Sequence, residues 1–521
     1  MDRLRLWGRP RLGYANVSLG FVAAGLASLL LADLGSSVPH PGAELARLLH
    51  GILHPDLLAV GWAGVVLTVA FAVLGVSGGA AAGFVLALPF AGSRKVRLFC
   101  AAIRSVHELF WALLLMQVLG PSPAAGLLAI AIPYAGVFAK VFAEMIEEAD
   151  LAADRVLPAG AGAVSRFAYA RLPLLARPFG DYLLYRLECG LRSTLVLGFI
   201  GLPTMGFELE GYFRQGHYAQ AAGFVAVFYV LIGTRRLWAR PATLPLLLLG
   251  SVAALVWLAP PVGGGSVWSA LARFLGHDIV PQPLRGAVLD GTAWARTGAW
   301  LWAILRGQAL PGVVNTLVVS QLAMVAMAVL ALLLFPLTSR HFTGPLGRPF
   351  GRTLLLVIRS TPEYMAAYVL LQLLGPSMLP AVIALALHNG GILGFLMGRQ
   401  ADALPLRPDA PHGADLYFYE TVPRLYGQFL AYVLYRWEII VRESAIFGIL
   451  GVRTLGFHVD AAIQELHLDV AVVLIVVTGG LSMLIDAASR ALRRRLRIAD
   501  RPVRLSAADA RMAAPAEPAC V

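Results

Sequence analysis

Apolar runs of about twenty residues, the length an α-helix needs to cross a bilayer, recur along the chain with short polar stretches between them. In the first half they fall at residues 17–34, 58–88, 98–119, 124–146, 179–202 and 218–233, and in the second at 243–260, 311–337, 353–374, 379–397, 428–450 and 469–487. The pattern predicts an all-α polytopic membrane protein of about twelve transmembrane helices. Basic residues gather in every second loop: Arg3, Arg5, Arg9 and Arg11; Arg94, Lys95 and Arg97; Arg155, Arg166, Arg171 and Arg177; Arg235, Arg236 and Arg240. The alternation continues through Arg340, Arg348 and Arg352, then Arg399, Arg407 and Arg424, and ends in Arg490, Arg493, Arg494, Arg495 and Arg497. The loops between them, such as 119–122 and 374–377, carry no basic residue. Basic loops stay on the cytoplasmic side, so both termini are expected in the cytoplasm. Run 17–34 follows a basic stretch without a small-residue cleavage site and is expected to remain as a first membrane helix. Segment 266–310 faces outward in this scheme, and its Trp268, Trp294, Trp300 and Trp302 suit helices lying in the membrane interface.

The chain repeats itself. Tyr182, Tyr185, Arg186, Glu188, Arg192, Gly198, Gly201, Gly206 and Phe207 recur as Tyr432, Tyr435, Arg436, Glu438, Arg442, Gly448, Gly451, Gly456 and Phe457, at a constant offset of 250 (432 − 182). Upstream, Ile103-Arg104-Ser105 with Glu108 returns as Ile358-Arg359-Ser360 with Glu363, at an offset of 255 (359 − 104). Between these blocks the second copy is five residues shorter (255 − 250), so the cytoplasmic segment differs between halves. Two homologous units are therefore expected, 1–240 and 241–498, followed by a disordered cytoplasmic tail, 499–521. With an even number of helices in each, the repeats are parallel rather than inverted.

Composition changes the picture in two ways. A chain 58% hydrophobic and 14% charged, with a mean hydropathy of +0.73, is not a string of soluble domains. Its net charge of +12 would suit nucleic acid, but the arginines sit in the loops between apolar runs, so the charge is topological and nucleic acid is excluded as a partner. The cysteines Cys100, Cys189 and Cys520 have neither disulfide nor zinc spacing. The only lysines are Lys95 and Lys140, so no phosphate-binding loop of the G-x-x-x-x-G-K-[ST] kind exists. No nucleophile stands beside a base, and no catalytic residue, metal site or cofactor is assigned.

The chemistry gathers where charge enters the apolar runs. Arg186, Glu188 and Arg192, with Arg436, Glu438 and Arg442, lie inside segments long enough to span the membrane, where ionisable groups face a bundle interior or a watery path. Glu188 and Arg192 stand four apart on one helix face and are placed to pair, as are Glu438 and Arg442. Two readings stand: an ion pair that only holds helices together, or a basic path in which the excess arginine receives an anion through its planar fork. Arg104 and Arg359, near the ends of their helices, join that path or snorkel to the surface. His107, His388, His458 and His467 read as hydrogen-bonded structural histidines. Tyr182, Tyr185, Tyr432 and Tyr435 have helix-packing spacing. Gly198 with Gly201, and Gly448 with Gly451, read as points of close helix approach.

Between the fourth and fifth runs, Asp154-Arg155-Val156-Leu157-Pro158-Ala159-Gly160 is followed by Leu172-Pro173. This resembles the E-A-A loop of ABC importer permeases, with Asp154 for the glutamate, Gly160 for the glycine, Ala170 for the isoleucine, and Leu172 and Pro173 in place. Together with the tyrosine-arginine-glutamate helix, its glycines and the I-R-S-x-P-E block that Pro362 completes in the second half (His107 in the first), the chain resembles the phosphonate and phosphite type of permease, two units fused. In the second loop Leu404, Pro405 and Leu406 stand at the triplet, Ala410 at the glycine, and Val422 and Pro423 match. The resemblance implies that the first loop docks on a cytoplasmic ABC ATPase dimer, that an external solute-binding protein delivers a small anion, and that the chain itself is no enzyme. It also implies an inner-membrane location. Permeation of another solute (phosphate, sulfonate or an amino acid) and secondary transport with parallel repeats are the alternatives.

Overall fold

The computed structural model describes residues 13–35, 38–149, 158, 160, 162–259, 267–285 and 291–496. Every regular element among them is helical. Five helices are long and apolar enough to cross a membrane: Trp62–Phe90, Pro123–Glu148, Gly291–Thr338, Met378–Ala403 and Leu468–Arg495. Two bent pairs, Arg94–Ser105 with Glu108–Leu119 and Gly347–Ser360 with Glu363–Leu374, bring the number to seven if each pair is one span. Tyr14–Leu29, Tyr218–Gly233 and Leu244–Leu258 are shorter apolar helices. The twelve apolar runs thus become fewer full-length spans, and the charge-bearing helices Leu172–Val196 and Val422–Glu443 run beside them.

Runs 98–119 and 353–374 are not the straight helices their apolar character suggests. They bend by 89° and 88°. In the second, Pro362 forces the preceding Thr361 into an extended conformation (ψ 118°), which ends the first segment. The first half has no proline there; Val106 and His107 are extended, and the His107 ring accepts the Leu109 N–H at 3.2 Å, capping the new helix as a side-chain N-cap does. Different residues therefore build the same break.

Segment 266–310 also departs from expectation, because residues 291–310 are not a separate interfacial element. They continue into the next span as one 48-residue helix, Gly291–Thr338, with Trp294 and Trp302 on its exposed side. The join is a π-helical turn, Leu305–Ala309, immediately before Leu310-Pro311. Similar π-helical joins, Phe167–Arg171 and Leu416–Thr421, precede Leu172-Pro173 and Val422-Pro423. Proline has no N–H for the carbonyl four residues back and its ring crowds that carbonyl, so the helix widens there, and the preceding residue bonds five back (Leu172 to Phe167, Val422 to Tyr417).

After each charged helix the chain makes a tight corner. Gly201 (φ 81°) and Gly451 (φ 88°) take the left-handed conformation that side chains resist, so they serve the turn rather than helix packing. Close approach falls to their neighbours: a Cβ on Gly206 would lie 1.9 Å from the Leu195 carbonyl oxygen, and one on Gly456 1.8 Å from that of Ala445. Gly206→Ala and Gly456→Ala should each destabilise the protein by about 1–3 kcal/mol or more, read as a lowered Tm in lipid or detergent. Gly211→Ala, where nothing lies within 4 Å of the added carbon, should leave Tm within about a degree of the unaltered protein or above it.

Candidate functional site

The two breaks generate the site. Arg94–Ser105 and Gly347–Ser360 end with carbonyls that have no partner within their own helix, and the negative ends of the helix dipoles lie with them. Arginines from the opposite half come to these ends. Arg442 donates to the Arg104 carbonyl at 2.8 Å, and Arg192 to the Arg359 carbonyl at 3.4 Å. The second segments begin at Glu108 and Glu363, carboxylates in the first turn, where the dipole is positive. Breaking the helix thus stations cations at one side of the break and anions at the other.

Between these crossings lies a cavity of about 140 Å³, room for several waters or a small solute. Five arginines line it, Arg104, Arg186, Arg192, Arg436 and Arg442, against three glutamates, Glu108, Glu363 and Glu443, with His107, Tyr134, Ser193 and His388 also in the wall. Arg186 donates to the Tyr182 hydroxyl at 2.8 Å and lies over the rings of Tyr182 and Tyr185; the tyrosine spacing read as packing thus also holds a guanidinium. Arg436 donates to Asn389 Oδ1 at 3.2 Å, and Asn389 Nδ2 to Glu443 at 3.0 Å. His388 Nδ1 donates to the Thr361 carbonyl at 2.8 Å, which leaves Nε2 to accept from Arg192 at 3.2 Å. His388 is therefore hydrogen-bonded, as read from the sequence, and it is part of the wall.

Three of the eight charged residues singled out in the sequence stand elsewhere. Glu188 pairs with Arg235 at 3.0 Å rather than with Arg192, and Glu438 pairs with Arg104 at 3.3 Å rather than with Arg442. Helical spacing permits the local pairs, but the tertiary partners outcompete them. Arg104 does not snorkel: its side chain is 16% exposed and bridges Glu438 and Asp486, the latter at 3.1 Å. Arg359 lies over the Phe395 ring, 4.4 Å from its centroid, and is not in the cavity wall. Glu108 and Glu363 were legible as repeated positions; Ser193 and Glu443 adjoin the arginines Arg192 and Arg442. Nothing in the sequence pointed to Tyr134 or Asn389.

Donor atoms of Glu363, His388 and Glu443 lie within 4.8 Å of one another, a cluster that sequence spacing did not disclose. The His388 nitrogen facing the cavity already accepts from Arg192, and a guanidinium at that distance opposes a metal cation.

The two loops that precede the charged helices differ. Asp154 lies outside the described residues, and Gly160 is exposed. Leu172 with Pro173, and Val422 with Pro423, open the charged helices after their π turns. In the second loop Ala410 closes a turn onto the Arg407 carbonyl at 3.0 Å. Buried Glu420 binds Arg407 at 3.1 Å and also Arg424, which donates to the Pro405 carbonyl at 3.0 Å. The first half has Ala170 where this glutamate stands.

The chain is 27% identical over 430 residues to the phosphate-import permease protein PhnE of Mycolicibacterium smegmatis, an alignment covering 78% of this chain and 77% of that protein. It is 32% identical over 137 residues to the phosphite transport system permease protein PtxC of Stutzerimonas stutzeri, covering 26% of this chain and 50% of that one. No family model matches. No solved structure matches either. These relatives bear out the resemblance to phosphorus-oxyanion permeases, and with the apolar helices they mark the chain as a multi-pass membrane protein of the transport class.

Glu420→Ala, which installs the first-half residue, should free the second loop. Amide exchange across residues 404–421 should quicken about tenfold, the equivalent of losing about 1.5 kcal/mol of charge-assisted hydrogen bonding, as read by mass spectrometry. An unchanged rate would show that the Arg407–Glu420–Arg424 bridge does not hold the loop.

Proposed function

We propose that the chain is the permease subunit of an ATP-driven ABC importer that carries a small phosphorus oxyanion across the inner membrane. The observation that carries this reading is the cavity itself, with five arginines against three glutamates where the two halves cross, in a chain whose relatives are named for phosphate import and phosphite transport. Two homologous units, 1–240 and 241–498, supply about twelve helices in parallel repeats, with both termini cytoplasmic. An ATPase dimer docks on the cytoplasmic loops, the first more firmly than the second, and an external binding protein delivers the solute. The sequence contains no G-x-x-x-x-G-K-[ST] loop, which suits ATP hydrolysis in the partner.

The chemistry follows from the cavity's charges. A unit anion 4 Å from a fixed cation gains about 1 kcal/mol in water and about 4 kcal/mol at the effective dielectric of a protein site. Half-helix N-termini at Glu108 and Glu363 add positive potential, as broken helices do in other carriers of anions. A net surplus of arginine admits the anion, and the glutamates keep it from binding too tightly to leave. Alternating access then consists of the two halves rocking about the crossings at Arg192 and Arg442.

Arg192→Gln and Arg442→Gln should each lower uptake per assembled complex by about ten- to a hundredfold, the worth of one charge-assisted hydrogen bond. Copurified ATPase measures assembly, and radiolabelled phosphate or phosphite measures uptake. Undiminished uptake per complex in the double variant would remove these arginines from the path, and with them the case for an anion.

A further inference from the structure

The two halves place different residues at equivalent positions of the cavity wall. At the 255 offset Glu108 corresponds to Glu363 (363 − 108) and Tyr134 to Asn389 (389 − 134); at the 250 offset Ser193 corresponds to Glu443 (443 − 193). In the first half the carboxylate is satisfied internally: the Ser193 hydroxyl donates to Glu108 at 2.8 Å and lies 3.3 Å from the Tyr134 hydroxyl. In the second half that hydroxyl is replaced by another carboxylate. Asn389 holds one oxygen of Glu443. No other side chain among the described residues donates a hydrogen bond to Glu363, whose side chain is 12% exposed; His388 Nε2 stands 3.9 Å away, and a carboxylate oxygen of Glu443 lies within 4.8 Å.

Arginine only donates, and an ionised carboxylate only accepts. Arginines therefore bind any tetrahedral oxyanion and cannot distinguish hydrogen phosphate from sulfate, which have the same charge and nearly the same shape. An unsatisfied acceptor can. Opposite a carboxylate oxygen, hydrogen phosphate presents its P–OH and gains a hydrogen bond, whereas sulfate presents another acceptor and is repelled. We infer that Glu363 and Glu443 make the cavity selective for oxyanions that carry a hydroxyl proton, and that the anion lies with that hydroxyl toward these two carboxylates and its bare oxygens toward the arginines of the wall. The inference rests on the anion-path reading above and narrows its substrate class to protonated phosphorus oxyanions, excluding sulfate.

The full chain in lipid nanodiscs, with hydrogen phosphate observed by phosphorus-31 line broadening and sulfate as competitor, tests it; line broadening reports even millimolar affinities. In the unaltered protein sulfate should need at least about a hundredfold higher concentration than unlabelled competitor phosphate to displace the signal, a conservative figure for a site built to bind a hydroxyl. Glu443→Ser, the first-half residue at that position, should cut this ratio at least tenfold. Glu363→Gln, which removes the negative charge and puts an N–H donor in place of one of the two carboxylate oxygens, should do the same and reads the ratio should the serine variant fail to fold. Arg442→Gln should weaken both anions alike. Equal displacement by sulfate in the unaltered protein, or an unchanged ratio in the glutamate variants, overturns the selectivity while leaving the anion path standing if Arg442→Gln weakens both. Absence of phosphate binding, or indifference to Arg442→Gln, overturns the anion path and the selectivity with it.

Discussion

Everything at the centre of this protein depends on finding partners for guanidinium groups placed in apolar helices. A charged side chain in the middle of a bilayer costs several kcal/mol unless it is paired or faces water, and arginine cannot escape by losing its proton. The fold answers by breaking two helices. Each break leaves carbonyls without internal partners, and Arg192 and Arg442 cross from the other half to take them. The same breaks give two helix starts, at which Glu108 and Glu363 stand. One geometric device therefore supplies acceptors for the cations and fixed positions for the anions, and encloses a polar cavity between them.

The crossings bind each half to the other through backbone as well as side chain. A guanidinium bound to a carbonyl of the opposite half cannot move without either carrying that helix end along or losing a charge-assisted bond. Near them, the ion pairs differ: Arg104 is shared by Glu438 and Asp486, whereas Glu188 pairs with Arg235. The two backbone crossings repeat and these ion pairs do not.

That difference recurs at further polar positions. Ser193 and Glu443, Tyr134 and Asn389, and Ala170 and Glu420 occupy equivalent positions with unlike chemistry. Glu420 ties the second loop together through its ion pairs with Arg407 and Arg424, and Glu443 changes the cavity wall.

The sequence by itself determined the helical class, the membrane setting, the repeated positions and the arginines, because these follow from local quantities: run length, hydropathy, spacing and the cost of charge in lipid. It also located the proline junctions, whose π turns follow from a missing N–H. Pairing was beyond it. Helical spacing offered Glu188 to Arg192 and Glu438 to Arg442, and both glutamates found partners from other helices, because a salt bridge depends on which atoms meet in space and one i,i+4 contact is worth only about 0.3–0.5 kcal/mol. The bend at Val106 and His107 was equally hidden, since no proline marks it and a histidine cap acts only once the chain has turned. Which of the arginines share a cavity, and which glutamates stand in it with them, was decided only when the two halves crossed.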